Sequence, residues 1–140
     1  MKKNNKGFTL MEMLIVVAII AVLIAIAIPT FTSSLNRARV ATDAANIRSG
    51  YASAMADILT KQVSAEPTTE TTKTYYLQKD GSVGEAAGYT CLGNNKDNQV
   101  TEIAGQPVGA WTKGANVSYT YTYATNELKI NAPATAATGD

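Results

Sequence analysis

Residues Gly7 to Pro29 read GFTLMEMLIVVAIIAVLIAIAIP and follow the basic hexapeptide MKKNNK. Thr9 and Glu12 are the polar side chains in an otherwise apolar run that ends at the Pro29 break. A helix from Leu10 to Ile28 rises about 28 Å at roughly 1.5 Å per residue, close to the ~30 Å of bilayer hydrocarbon. The stretch therefore predicts a membrane span at the start of the chain. Its details depart from a secretory signal peptide, whose small-residue cleavage site follows the apolar segment. Ala25-Ile26-Ala27 has the small-x-small form, but Pro29 stands two residues beyond it, Glu12 lies inside the run, and Gly7 lies before it. A carboxylate in hydrocarbon costs on the order of a few kcal/mol unless it is paired or protonated, so Glu12 needs a reason.

Lys2, Lys3 and Lys6 in a short leader, then Gly7, Phe8, Thr9, Leu10, Glu12 and Pro29, form a pattern that resembles the class III leader and first helix of type IV prepilins and their pseudopilin relatives in type II secretion and competence. The resemblance covers the first quarter of the chain. It implies that a prepilin peptidase, a membrane aspartyl enzyme, cuts between Gly7 and Phe8 on the cytoplasmic face and methylates the new amino terminus of Phe8. Gly7 suits an extended scissile bond, since it reaches backbone angles closed to other residues and puts no side chain in a protease groove. The resemblance also implies that Glu12 pairs with the charged amino terminus of Phe8 in a neighbouring subunit. That pairing acts as a register device, because only one stagger of an apolar bundle supplies the carboxylate's partner. The plain alternative is a carboxylate snorkelling to the membrane surface.

The length of 140 residues suits one compact domain beside the helix. The formal charge of +1 comes from 12 basic and 11 acidic residues, and loss of residues 1–7 removes three lysines, leaving nine against 11. Bulk charge therefore does not indicate a nucleic-acid binder. Histidine is absent, which removes the commonest general base and metal ligand. Cys91 is the single cysteine, so no intramolecular disulfide forms. This departs from the disulfide-closed C-terminal loop of many Gram-negative pilins and favours a Gram-positive pilin or a pseudopilin; Cys91 is expected to be a small buried hydrophobe on a strand. Three lysines precede the span, and Arg37 and Arg39 follow it closely. Charge counting is thus nearly balanced, and the resemblance carries the orientation with the amino terminus inside.

Pro29 lacks an amide hydrogen and is expected to kink or loosen the helix near Ala25 to Pro29. Beyond it, Val40, Ala44, Ile47, Tyr51, Ala54 or Met55, and Ile58 recur at three- and four-residue steps. They predict an amphipathic helix to about Val63 whose stripe packs on a sheet, with Arg39, Asp43, Arg48 and Asp57 off that stripe. Gly50 either permits a close approach or is a tolerated cost of roughly 1 kcal/mol in helix propensity. Ser64 to Lys73 reads as a polar connector, Thr74 to Leu77 as a strand turned by Asp80-Gly81, and Gly88 to Leu92 as another short strand. The oxygen-rich stretch Gly93 to Asn98 lacks the acidic spacing of a calcium loop and is interrupted by Lys96, so a turn is expected. Trp111 is expected in the core. Val117, Tyr119, Tyr121 and Tyr123 alternate with polar residues, and Leu128-Lys129-Ile130 keeps the same period, which predicts a hairpin with one apolar face. Asn116-Val117-Ser118 is a weak sequon, and Ala132 to Asp140 is expected to fray.

The expected fold is α+β: a long N-terminal helix, apolar then amphipathic, packed on a small antiparallel sheet, the lollipop that the resemblance implies. Its parts are a leader (1–7), a transmembrane or filament-core helix (8–29), an amphipathic helix (30–63), and a loop and sheet (64–140). With no nucleophile-base pair, phosphate loop or metal cluster, the sequence points away from catalysis and from any cofactor. The expected role is a pilin, stored in the cytoplasmic membrane and polymerised by an assembly platform into a surface filament with Phe8, Glu12 and Pro29 as assembly residues. A pseudopilin is the runner-up. A membrane-anchored ligand-binding protein and a secreted domain cut after Ala27 are the other readings, and contacts with a host surface or DNA are open.

Overall fold

The computed structural model describes residue 7 and residues 9–62, 71–96 and 99–131. One helix, α1 (Leu10–Gln62), precedes strands β1 (Thr72–Leu77), β2 (Val83–Gly84), β3 (Glu102–Ile103), β4 (Gln106–Pro107), β5 (Ser118–Thr122) and β6 (Glu127–Asn131). The fold is α+β. Two compact units divide the chain between Leu35 and Asn36.

The first unit is the apolar half of α1. Its large side chains stand exposed on every face, from Leu10 at 79% to Ile28 and Phe31, and the first buried position of the helix is Val40. The helix is not interrupted at Pro29. Proline removes one amide donor, and nearby hydroxyls add bonds to neighbouring carbonyls: Thr30 Oγ1 donates to the Ile26 carbonyl at 3.3 Å and Thr32 Oγ1 to that of Ile28 at 2.9 Å.

The second unit holds the core. Antiparallel strands run in the order β2-β1-β5-β6, with a separate β3-β4 hairpin. Tyr119 faces Tyr75 on one side and Ile130 on the other, and Tyr121 faces Lys73 and Leu128. The inner face of the sheet carries Tyr75, Leu77, Val117, Tyr119, Tyr121, Leu128 and Ile130, all buried, as the alternation requires, and Trp111 joins them. Cys91 is buried among them, and burial pushes its thiol up to about 12, so it is an inert apolar filler.

The buried seam of α1 is Val40, Asp43, Ile47, Gly50, Ala54 and Ile58, with Ala44, Tyr51 and Met55 flanking it. It thus passes through two residues that apolar periodicity leaves out. Gly50 is a site of close approach: a Cβ there would lie 2.6 Å from Leu77 Cδ1 and 2.8 Å from Tyr119 Cζ. The gap admits the Tyr119 ring, whose hydroxyl donates to the Ile47 carbonyl at 2.7 Å. Asp43, expected on the polar side, is fully buried. Its carboxylate accepts from Tyr89 Oη at 2.6 Å, the Leu92 and Gly93 amides at 2.8 and 2.9 Å, and Trp111 Nε1 at 3.2 Å. Four donors replace the water that a buried carboxylate loses.

Several boundaries move. β1 begins at Thr72, inside the expected connector, because Thr72 and Lys73 pair with Thr122 and Tyr121. Gly88 to Leu92 is not a strand; it holds a single bridge, Thr90 to Asn116, and its amides turn to Leu77 and to Asp43. The β3-β4 hairpin went unforeseen, since two-residue strands carry no periodicity. Its turn, Ala104-Gly105, has positive φ at both residues, 52° and 76°. Val63, most of the connector and the tail from Ala132 lie outside the described residues.

Three outcomes follow for the full-length protein unfolded by denaturant in detergent. Asp43→Ala strands buried donors and should cost about 3 kcal/mol or more; a loss below about 1 kcal/mol would contradict the network. Gly50→Ala gains helix propensity but overpacks, for a net loss of about 1–2 kcal/mol. Ala104→Asn relieves a left-handed alanine and supplies the Asn-Gly pair this turn favours, raising stability by about 1 kcal/mol.

Candidate functional site

The sequence-predicted residues gather at the start of α1, with Pro29 apart from them. Gly7 is exposed at a bend, and an added Cβ would meet nothing within 4 Å among the described residues. Phe8 lies outside the described residues. Thr9 and Glu12 close the helix end reciprocally. The Thr9 amide donates to Glu12 Oε2 at 2.9 Å, and the Glu12 amide donates to Thr9 Oγ1 at 3.3 Å.

This is a capping box. It satisfies two of the amides that every helix start leaves unpaired, and it puts a negative charge where the helix dipole is positive. The carboxylate that looked isolated in the apolar run therefore has a partner within its own chain. The signal was present in the sequence as Thr-x-x-Glu before an apolar stretch; attention to the charge of Glu12 hid its spacing from Thr9. Pro29 lies 17 residues on, about 26 Å along the helix at 1.5 Å per residue, and shares no contact site with the cap.

Beyond the cap, Leu10 to Ile28 offers a continuous apolar surface, interrupted by no charged side chain except Glu12. It is the one helix among the described residues that is long and apolar enough to cross a membrane. Such a surface binds hydrocarbon or other helices and performs no chemistry of its own.

The described part of this oxygen-rich stretch, Gly93 to Lys96, is tied into the fold. Asn94 receives the Asn36 side chain on its carbonyl at 2.9 Å, returns its amide to Asn36 Oδ1 at 2.9 Å, and accepts the Lys113 amide on its side chain at 2.8 Å. Asn95 is buried, and its side chain bonds both backbone groups of Val100. These oxygens serve the loop; Asp97 and Asn98 lie outside the described residues. No group of three or more His, Cys, Asp or Glu side chains comes together among the described residues.

Comparisons with known proteins agree with this geometry. Residues 2–28 match the family model described as the prokaryotic N-terminal methylation motif. The chain is 47% identical over 66 residues to the type IV narrow pilus major component PilA5 of Thermus thermophilus, a match covering 45% of this chain and about half (53%) of that relative. It is 31% identical over 121 residues to a fimbrial protein of Pseudomonas aeruginosa, covering 83% of this chain and 79% of the relative. No solved structure matches. The second relative extends the likeness well past the first helix into the sheet, and the chain therefore belongs to the type IV pilin family.

Proposed function

We propose that this protein is a structural subunit of a type IV pilus, held in the cytoplasmic membrane with its amino terminus inside and then polymerised through its first helix into a surface filament. The observation that carries this reading is the fully exposed apolar half of α1, Leu10 to Ile28, which only lipid or other helices can cover. In the membrane, lipid covers it; in the filament, neighbouring copies do, so extraction exchanges one apolar environment for another. A head-to-tail contact of this kind that does not close generates an open helical polymer.

The first step is processing. A prepilin peptidase cuts between Gly7 and Phe8 and methylates the new amine on Phe8, and a glycine before the cut puts no side chain in the protease groove. Glu12 then has two uses. In the single subunit it caps the helix through Thr9. In the filament it meets the charged amine of Phe8 on a neighbour, and the cost of an unpaired buried charge selects the stagger. Pro29 removes one backbone bond from the middle of the helix and lets that region adjust as the bundle packs. The assembly platform in the cytoplasmic membrane is the remaining partner, and the subunit itself has a structural rather than an enzymatic role.

Imaging of cells with an antibody to the sheet tests the role. Long labelled surface fibres are expected; short or absent fibres together with a secretion or transformation defect would make the protein a pseudopilin instead. Glu12→Val should enter the membrane as well as wild type yet reach fibres about tenfold less when the two are co-expressed, since breaking a buried pair costs well over 1 kcal/mol. Equal incorporation would remove Glu12 from the register device.

A further inference from the structure

The globular unit carries a basic cluster at the end where its chain begins, and none of its members is ion-paired among the described residues. Arg37 and Arg39 are exposed, one on each side of the seam through Asn36 and Val40. A Cβ on Gly93 would sit 3.0 Å from Arg39 Cβ, so the loop packs beside that arginine. Asn94 is clamped to Asn36 by two hydrogen bonds of 2.9 Å, and it also takes the Lys113 amide at 2.8 Å. Exposed Lys113 is thereby tied to the first turn of the unit, and exposed Lys96 follows Asn94 by two residues.

Among the described residues, the ion-paired carboxylates are elsewhere; Asp97, next to Lys96, lies outside the described residues. The ion pairs among the described residues are Asp57 with Lys61 and Glu127 with Lys129. Asp57 and Lys61 lie at the far end of α1, and Asp80 belongs to the turn whose Gly81 carbonyl meets Ser49 and Ser53, three turns or more beyond Arg39. Asp43 is one turn from Arg39, but it is buried and saturated by four donors. Counting Asp43 and the sequence neighbour Asp97 against Arg37, Arg39, Lys96 and Lys113 still leaves the cluster net positive.

Chain length fixes what such charges can meet. Arg37 follows Ile28 by nine residues, about 14 Å of helix at 1.5 Å per residue, and no angle between the two units lengthens that tether. If Leu10 to Ile28 fills the hydrocarbon, the arginines stand just outside the headgroup layer, and their side chains reach into it. We propose that Arg37, Arg39, Lys96 and Lys113 form a docking surface for the headgroups of anionic phospholipids, which holds the globular unit against the outer face of the membrane while the subunit awaits assembly. The attraction acts within a Debye length of about 8–10 Å, and it is released when the helix leaves the bilayer. This inference rests on the membrane-stored state proposed above.

The test reconstitutes full-length protein into vesicles of phosphatidylcholine alone or mixed with phosphatidylglycerol, confirms flotation, and labels amines with an impermeant reagent read by peptide mass. Lys129, on the outer face of the sheet, is the internal reference and cancels differences in orientation. The labelling ratios Lys113 to Lys129 and Lys96 to Lys129 should fall at least about threefold in the anionic vesicles and recover in high salt. Unchanged ratios in protein that floats with both vesicles overturn the docking surface alone. Protein that floats with neither overturns the membrane-stored state itself. A fall produced by added duplex DNA on zwitterionic vesicles, and not by the anionic lipid, assigns the cluster to nucleic acid and also overturns the proposal.

Discussion

An apolar helix that nothing in its own chain covers is the constraint on which this structure depends. Between Leu10 and Ile28 every backbone bond except the one at Pro29 can close within the helix, while every large side chain stays exposed. A helix of this kind satisfies its polar groups internally and leaves its surface to be satisfied from outside. At its amino-terminal end, Thr9 and Glu12 satisfy two of the amides that a helix start leaves unpaired.

The second half of α1 meets a different requirement. It needs one packed face, and the sheet supplies it through a seam of three- and four-residue steps. Two positions in that seam trade apolar area for geometry. Gly50 gives up its side chain so that Tyr119 can lie across the helix and hydrogen-bond the Ile47 carbonyl. Asp43 gives up solvent so that a loop with little regular structure is held at three points and joined to Trp111 by a fourth bond. The loop from Tyr89 to Asn95 has almost no ladder of its own, and the carboxylate does for it what strand pairing does for β1 and β5.

The long-range plan was legible in the sequence because it rests on periodicity. The apolar run, the change from all-round to striped hydrophobicity, and the alternation of Val117 to Tyr123 each predict an element that the structure contains. Asp43 was misplaced because a polar residue on a helix is ordinarily solvated, and its partners lie 46 to 68 residues away where no local pattern points to them. The β3-β4 hairpin was missed because strands of two residues have no period to detect. The capping box was a local signal that went unread.

Membership of the type IV pilin family and the exposed first helix lead to one account, in which the chain is cut, stored and then packed by the same segment. Its central claim is that the mature subunit begins at Phe8. Intact-mass analysis of fibres sheared from the cell surface tests this directly. The account predicts a chain lacking residues 1–7 and carrying one added methyl; a chain that begins at Ile28, or one that retains the leader, would contradict it.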